Sequence, residues 1–536
     1  MHTKYLLSCL LLSFSSLCWS QSDYRSGKEI TTTLQSIASK NSKLATLKSL
    51  TTTHGGNDIW MLTLSEGAPE SLPGIAIFAG VEGDHLLGTE LAVEIAEKLL
   101  SNHKELLSQT SFYIFPNLSP DASQQYFERI RFARKGNALP TDDDRDGRLD
   151  EDPFEDLNND GLITMMRVSD PTGQYKPLDE DERLMVKADI DKGERGGFHL
   201  YTEGIDNDKD GKFNEDGVGG VHFNKNFTFD FQYFTKGAGE HPISQKEHRA
   251  LLDFLYTQWN IYAILTFGPA NNLTTPLTYS KSGASKRVIT SVLKEDEKIN
   301  ALISETYNDI VKQKDAPKSA ADGGSAFEWS YFHFGRLALS TPAWWPKKFK
   351  GDSLNEAPKN KVANFLALAD AQNRSDVFID WKSVTHPDFP DKKVEIGGLH
   401  PFAMKQPAYS EVDTIATTHT NFIVQLAQMQ PKLAWVNVKQ EKVASNLTRI
   451  TAELHNSGQL PTHTEMGDKS RWLRKINVYL KLKNNQELRS GKPRTVIEKI
   501  AADGSVAFSW LVQGSGTVTL EATLPQAGTD TLTLKL

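Results

Sequence analysis

Three short segments repeat one arrangement of oxygen-bearing side chains before a glycine, at Gly147, Gly161 and Gly211. Ca²⁺ takes several oxygen ligands, and alternate residues of a tight loop can all point inward. None of the segments has the Glu that completes an EF-hand loop at its twelfth position, so they resemble the half-loops of dockerins and thrombospondin repeats. One copy would suit a solvated acidic loop, but three copies favour structural calcium. The predicted ligands are Asp142, Asp144, Asp146, Asp150, Asp156, Asn158, Asp160, Asp206, Asp208, Asp210 and Asn214.

Six further segments, in order across roughly residues 24–380, resemble motifs of the zinc carboxypeptidase family (the carboxypeptidase A and B type). Each match is short, but their order makes the resemblance specific. It implies an α/β fold with a mixed sheet flanked by helices, zinc as the cofactor of active members, and peptide C-termini as partners. The matching segments are 79–88, 115–122, 134–135, 223–227, 242–250 and 323–331.

The positions that carry zinc and catalysis in that family are largely replaced here. An active member needs three protein ligands to zinc with one open position for water, together with a carboxylate base. Glu82 stands at the family's His position and His85 at its Glu position, so the swapped side chains would place a metal elsewhere. Phe267 stands at the position of the third zinc ligand, and Ala343 at the position of the catalytic Glu. The Phe side chain cannot bind a metal, and the Ala side chain cannot act as a base. We therefore predict that ordinary zinc carboxypeptidase activity is absent.

The positions that anchor the substrate carboxylate in the family are better preserved. Arg134 and Asn224 match their family equivalents, and Lys225 replaces an Arg. Lysine keeps the charge but loses the bidentate geometry of the guanidinium group. The resemblance thus implies a cleft that binds peptide C-termini or other carboxylate-bearing ligands weakly. The alternative is that Arg134 and Lys225 merely neutralise nearby carboxylates.

Three functions stay open, and with them the question of whether the chain is an enzyme. The first is a catalytically degenerate homologue that binds carboxylate ligands in the old cleft. The second is an active metallocarboxypeptidase or amidohydrolase with a rearranged metal site at Glu82, His85 and an unidentified third ligand. The third is a calcium-dependent adhesion or scaffold protein. Zinc content separates the second function from the others.

The pattern of apolar residues along the chain predicts the strands and helices that position these side chains. A buried strand at 75–78, a helix over 90–100 and a strand at 111–115 predict a parallel α/β arrangement. Residues 21–430 are interpreted as the carboxypeptidase-like domain, with an acidic surface insertion over 138–220. From 431 to 536, alternating apolar and polar residues between turns predict an antiparallel β-sandwich.

The composition and the N-terminal segment indicate in which compartment the protein works and which classes of partner are excluded. A net charge of -8 argues against nucleic-acid binding, which usually requires a basic surplus. Lys4 and the apolar run 5–17 predict a signal peptide cut after Ser20, hence a secreted or periplasmic protein. No later segment is apolar enough to span a membrane. Both cysteines lie in 1–20, so core burial and metals, rather than disulfides, must stabilise the mature chain.

Overall fold

The computed structural model describes residues 23–141, 147, 149, 153–207, 209, 211, 213, 219–320, 323–351 and 356–536. The predicted signal peptide lies outside the described residues. So do seven of the predicted calcium ligands, namely Asp142, Asp144, Asp146, Asp150, Asp208, Asp210 and Asn214.

A six-stranded mixed sheet forms the centre of the carboxypeptidase-like part, in the order β1-β2-β4-β3-β9-β10. Its last four strands run parallel, and β1 and β2 are antiparallel to their neighbours. The parallel strands are buried along their whole length, which explains their continuous apolar sequences. The strands are β1 (Ala45–Thr52), β2 (Asp58–Leu64), β3 (Gly74–Phe78), β4 (Ser111–Phe115), β9 (Ile261–Phe267) and β10 (Leu337–Thr341).

Helices cover both faces of this sheet, as the fold class predicts. Successive side chains of a strand point to opposite faces, so Ile75 and Ile77 pack with one helix layer and Ala76 and Phe78 with the other. The first layer contains α1 (Gly27–Lys40), α2 (Leu86–Asn102), α6 (Lys294–Val311) and α9 (Val412–Gln428). The second contains α4 (Lys246–Thr257) and α7 (Ala326–Phe332). The other helices are α3 (Pro120–Ser123), α5 (Lys281–Ala284), α8 (Lys361–Ala371) and α10 (Glu465–Ser470).

The acidic insertion contributes strands to a second six-stranded sheet, in the order β11-β12-β5-β8-β6-β7. A small apolar cluster of Met166, Val168, Val394 and Ile396 joins the insertion to a strand about 230 residues further along the chain. The insertion is thus tied to the main domain by paired strands as well as by its connections. The strands are β5 (Met165–Ser169), β6 (Tyr175–Leu178), β7 (Asp181–Lys187), β8 (Phe198–Thr202), β11 (Phe378–Val384) and β12 (Val394–Leu399).

The C-terminal region forms the predicted antiparallel β-sandwich. Two four-stranded sheets, β13-β14-β18-β16 and β17-β15-β19-β20, enclose a shared core that includes Ile450, Val478, Trp510 and Leu520. Each inner residue alternates with a more exposed one, as in β19. The strands are β13 (Leu433–Ala444), β14 (Leu447–Asn456), β15 (Ile476–Lys481), β16 (Glu487–Ser490), β17 (Arg494–Ile497), β18 (Ser505–Gln513), β19 (Thr517–Leu524) and β20 (Gly528–Lys535).

Buried polar contacts join the sandwich to the carboxypeptidase-like part. The Asp296 carboxylate, in the first turn of α6, accepts hydrogen bonds from the backbone N–H groups of Glu465 (2.7 Å) and Met466 (2.9 Å). It also accepts one from the Tyr331 hydroxyl at 2.7 Å. Asp296 therefore caps the start of α10 from a different layer of the molecule. Within the described ranges, no helix is both long and apolar enough to cross a membrane.

Candidate functional site

The loop between β3 and α2 carries Glu82 and His85 at the carboxyl edge of the central sheet. Two glycines allow this loop to lie against neighbouring segments. Gly80 has φ +60°, and a Cβ there would lie 2.4 Å from Oδ1 of Asn117, which follows β4. A Cβ on Gly83 would lie 2.9 Å from the backbone oxygen of Arg134. Glycine at these positions thus brings the segment around Arg134 onto the loop.

Glu82 contacts two of the segments that the sequence motifs singled out. Asn224 donates from Nδ2 to Glu82 Oε1 at 3.1 Å, and Lys135 Nζ lies 3.6 Å from Glu82 Oε2. Asn224 is buried, and its Oδ1 accepts the backbone N–H of Ala326 at 3.0 Å, where α7 begins. The motifs at 79–88, 134–135, 223–227 and 323–331 therefore converge on one place.

Arg134, Asn224 and Lys225, here called the anchor cluster, lie on segments bordering Glu82. Arg134 donates from Nε to the Gly136 carbonyl at 3.0 Å and from Nη2 to the Asn137 carbonyl at 2.5 Å. Its guanidinium group thus also holds the turn that follows it. Burial, together with the positive charges of Lys225 and Lys135, lowers the pKa of His222 to about 4. The region is therefore cationic, with Glu82 as a carboxylate within it.

The His85 side chain lies beside the core rather than beside Glu82. It is buried at the start of α2, beside the backbone of Phe267 and Pro342, and burial lowers its pKa to about 4. Its Nε2 has no hydrogen-bond partner among the described residues. The adjacent Asp84 is also buried and pairs with Lys405, while its Oδ1 likewise lacks a described partner. In the described part of the chain, Glu82 and His85 make no ion pair with each other.

Phe267 and Ala343 belong to the hydrophobic core. Phe267 is fully buried at the end of β9, with its ring centroid 5.8 Å from that of His419 on α9. Ala343 is buried with φ +65°, and its N–H donates to Thr341 Oγ1 at 3.0 Å. These two positions present apolar side chains, so neither offers a metal ligand or a base.

A buried hydrogen-bond network beneath these two positions was missed by the sequence analysis. The Tyr307 hydroxyl lies 3.0 Å from Thr341 Oγ1 and 3.1 Å from His419 Nε2. His419 Nδ1 in turn lies 2.8 Å from the carbonyl of Ile415. The only signal in the sequence was a single histidine on the apolar face of α9. Such a residue is indistinguishable from an ordinary core histidine until its partners are known.

The residues at the family's zinc positions do not supply a complete ligand set. Zinc in a catalytic site needs three protein ligands that converge on one point. Across the described ranges, no three His, Cys, Asp or Glu side chains are grouped closely enough to hold a metal ion. Glu82 is paired with Asn224 and Lys135, whereas His85 faces the core. A zinc ion in the family position is therefore not supported by these side chains.

The described parts of two acidic loops share one local geometry. Asp156 Oδ2 accepts the N–H of Gly161 at 2.9 Å, and Asp206 Oδ2 accepts the N–H of Gly211 at 3.0 Å. In both loops the first Asp therefore holds the tight turn at the glycine. Asn158 Nδ2 donates to Asp160 Oδ2 at 2.9 Å, which draws these two predicted ligands together. Calcium at these loops remains a prediction.

Comparisons with known proteins agree with the motifs. The zinc carboxypeptidase family model matches residues 30–348, and that of a domain of unknown function, DUF8731, matches 432–535. Human carboxypeptidase D is 30% identical over 153 residues, covering 26% of this chain and 11% of that protein. Carboxypeptidase D of Anas platyrhynchos is 31% identical over 125 residues, covering 22% and 9%. This chain's matches thus span about a tenth of the length of these curated relatives.

Solved structures are also similar to this chain. Carboxypeptidase A from Helicoverpa armigera matches with 14% identity and a TM-score of 0.37, over 60% of this chain and 64% of that chain. Thrombin activatable fibrinolysis inhibitor matches with 10% identity and a TM-score of 0.43, over 76% and 74%. The match of the family model, over more than half of the residues, is the finding that decides: this chain belongs to the zinc carboxypeptidase family.

Proposed function

We propose that this protein is a catalytically degenerate zinc carboxypeptidase homologue that binds the terminal carboxylate of peptides in the old cleft. The observation that carries the proposal is a contrast between two sets of positions. Phe267 and Ala343, at the ligand and base positions, are buried in the core. The anchor cluster lies with Lys135 around the Glu82 loop, where polar groups converge. Binding chemistry is thus supported where hydrolytic chemistry is not.

The anchor cluster offers the groups that a terminal carboxylate needs. A carboxylate accepts charge-assisted hydrogen bonds from cationic side chains, and each contributes about 1.5–3 kcal/mol. Lys225 supplies a point charge in place of the two-pronged guanidinium group, so the geometry is less selective. We therefore expect micromolar or weaker binding, with the terminal charge as its main determinant.

Calorimetry with paired peptides tests the proposal. One peptide carries a free C-terminus and its partner an amidated one. We expect the amidated peptide to bind at least about tenfold more weakly, because 1.4 kcal/mol corresponds to a factor of ten. Lys225→Gln should weaken binding of the free peptide, whereas Lys225→Arg should preserve or strengthen it. Lys246→Gln is the control, because Lys246 is exposed on α4 and its replacement by Gln changes the net charge by the same amount.

Arg134→Ala serves as a second variant, with its melting temperature measured because Arg134 also holds two backbone carbonyls. Equal binding of the free and amidated peptides would contradict the proposal. So would unchanged affinity in both Lys225→Gln and a stably folded Arg134→Ala. If carboxylate binding fails while calcium-dependent association with cells or polymers is found, the scaffold function is favoured instead.

A rearranged metal site is the second candidate function, and one observation favours it. His85 Nε2 and Asp84 Oδ1 lie in the same loop, both buried and without described hydrogen-bond partners. Buried polar atoms rarely stay unsatisfied, and an ion can satisfy them. Zinc content of the purified protein distinguishes the two functions. Stoichiometric zinc, with hydrolysis that stops on adding a zinc chelator, would show that the protein is an active metallohydrolase. The proposal of a catalytically degenerate homologue would then be wrong.

Calcium and export complete the proposal. Calcium at the acidic loops is supported by the repeated turn geometry at Gly161 and Gly211. Export to a secreted or periplasmic location is supported by Lys4 and the apolar run 5–17. Mass spectrometry of the mature N-terminus checks the second point, with Gln21 as the expected first residue.

A further inference from the structure

A cleft of about 500 Å³ lies outside the site described above and is lined by five lysines. Its walls come from the segment after α6, the segment after β10 and the start of α8, with Met404 beside them. Asp315 is the one carboxylate among the described residues that line it, although the whole chain carries a net charge of -8. This surface, here called the lysine cleft, has Lys318, Lys347, Lys348, Lys359 and Lys361 exposed around it.

Hydrogen bonds between the walls fix the shape of the lysine cleft. Trp345 Nε1 donates to the Lys314 carbonyl and Gln313 Nε2 to the Trp345 carbonyl, both at 2.8 Å. Asn364 Oδ1 accepts the N–H of Phe349 at 2.9 Å, and its Nδ2 donates to the Phe349 carbonyl at 2.9 Å and to the Pro358 carbonyl at 3.2 Å. The cleft is therefore formed before any ligand binds, which lowers the entropic cost of binding.

The positive charge of the lysine cleft is not neutralised by the described residues around it. Among these, no carboxylate lies within ion-pair distance of any of the five lysines. Glu180, at the rim, accepts the backbone N–H groups of Lys359 (3.0 Å) and Asn360 (2.9 Å). Like charges held around one concave surface repel each other, and an anionic ligand relieves that repulsion.

The lining between the lysines is apolar. Pro317, Pro346, Pro358, Phe365 and Met404 contribute to it. Sites that take peptides or small molecules combine such an apolar surface with a few charged groups, within a volume of about 300–1,000 Å³. Lysine supplies compact, mobile point charges, without the fixed two-pronged geometry of a guanidinium group. Apolar side chains alternating with carboxylates suit this lining better than a uniformly polar glycan.

We propose that the lysine cleft binds an acidic peptide segment, with Asp and Glu side chains on the lysines and apolar side chains on the floor. No member of the anchor cluster is among the residues that line it. The inference therefore goes beyond the proposed function and stands or falls separately from it. It assigns the chain a second binding surface, specific for side-chain rather than terminal carboxylates.

Fluorescence anisotropy with the full chain tests this inference. The probe is a labelled ten-residue peptide of alternating Glu and Leu or Pro, amidated at its C-terminus so that binding of a terminal carboxylate cannot contribute. A matched peptide carries Gln for Glu. We expect the Glu peptide to bind, more tightly at low salt because exposed charges are screened over about 8 Å at physiological ionic strength. The Gln peptide should bind at least tenfold more weakly.

A five-lysine variant locates the site. Lys318, Lys347, Lys348, Lys359 and Lys361→Gln should lower the affinity at least tenfold. The control changes five exposed lysines of the β-sandwich, Lys439, Lys442, Lys483, Lys492 and Lys535, to Gln and should change it less than twofold. An equal loss in both variants, equal binding of the Gln peptide, or no binding by the unaltered protein would overturn the inference. Tighter binding of a sulfated glycan than of the Glu peptide would assign the cleft to glycans and overturn it as well.

Discussion

Glu82 occupies donors that a bound carboxylate would otherwise use. Its Oε1 accepts a hydrogen bond from Asn224, and its Oε2 lies 3.6 Å from Lys135. A carboxylate tethered beside its donors competes with a free ligand at a high effective concentration. Under the proposed function, Glu82 is therefore an internal competitor, and it adds to the loss of selectivity caused by Lys225.

Removing the charge of Glu82 should strengthen carboxylate binding. In Glu82→Gln the side chain keeps its size but no longer neutralises the cations beside it. We expect up to about a fivefold gain in affinity for a peptide with a free C-terminus, since surface charge pairs contribute up to about 1 kcal/mol. Calorimetry measures it, with Glu105→Gln as the control because the Glu105 side chain is 77% exposed and lies beside His103, after the end of α2. Unchanged or weaker binding in Glu82→Gln would show that Glu82 does not compete.

Residue types at motif positions could be predicted from the sequence, but their partners could not. The motifs placed Glu82, Arg134 and Asn224 on segments that the structure does bring together. Nothing in the sequence indicates that Glu82 turns to Asn224 while His85 turns to the backbone of Phe267. That choice depends on how three distant segments pack, and on the close approach that Gly80 and Gly83 permit.

Among the strands of the carboxypeptidase-like part, buried ones could be predicted from the sequence more readily than partly exposed ones. Strands β3 and β4 are wholly buried and read as short apolar runs, so the sequence predicted them. Most strands of the second sheet are only partly buried, β12 excepted, and in β6 and β7 no residue is buried. The pairing of β5 with β12, about 230 residues further along the chain, comes from tertiary contacts that the local sequence does not encode.

The acidic loops should make the thermal stability of the protein depend on calcium. If calcium binds the folded state alone, it should raise the melting temperature as its concentration rises. A chelator should lower the melting temperature of protein purified with calcium, and magnesium should substitute poorly because it favours fewer, more rigid ligands. Asp156→Asn together with Asp206→Asn should reduce the calcium effect, because both side chains hold the turns at Gly161 and Gly211.

Asp179→Asn is the control for the calcium measurement, because the Asp179 side chain is 85% exposed and lies outside the loops. It should leave the calcium dependence unchanged. A melting curve that neither calcium nor chelator moves, with no calcium in the purified protein, would leave the loops as acidic turns without an ion.

At the scale of the whole molecule, buried polar groups fix how the layers fit. Asp296 caps α10 from α6, and the fully buried Arg336 donates to the carbonyls of Phe334 (2.9 Å) and Trp472 (2.7 Å). Removing one partner of such a buried contact leaves the other unsatisfied, at a cost of about 1–3 kcal/mol. The sandwich and the carboxypeptidase-like part are therefore held in register by directional bonds as well as apolar packing.

His419 makes the stability of the whole molecule sensitive to acid. Burial lowers its pKa from the ordinary 6.5 to about 4, so the folded state keeps it neutral while the unfolded chain takes up a proton below pH 6.5. The free energy of unfolding should consequently fall as the pH drops from 6.5 to 4, and level off below that for this group. A shift of this size corresponds to about 3 kcal/mol, at about 1.4 kcal/mol per pH unit.

Replacing His419 by Gln should therefore flatten the acid limb of the stability profile. The variant loses some stability at pH 7, because the contact with Tyr307 is altered, but it should lose less on going from pH 7 to pH 4.5 than the unaltered protein does. Denaturant unfolding followed by tryptophan fluorescence at pH 7, 5.5 and 4.5 measures the difference, with exposed His241→Gln as the control. The fall in the free energy of unfolding with decreasing pH should become smaller without vanishing, because burial also lowers the pKa values of His85 and His222 to about 4. Identical pH profiles for His419→Gln and the unaltered protein would mean that proton uptake at His419 does not contribute to acid unfolding.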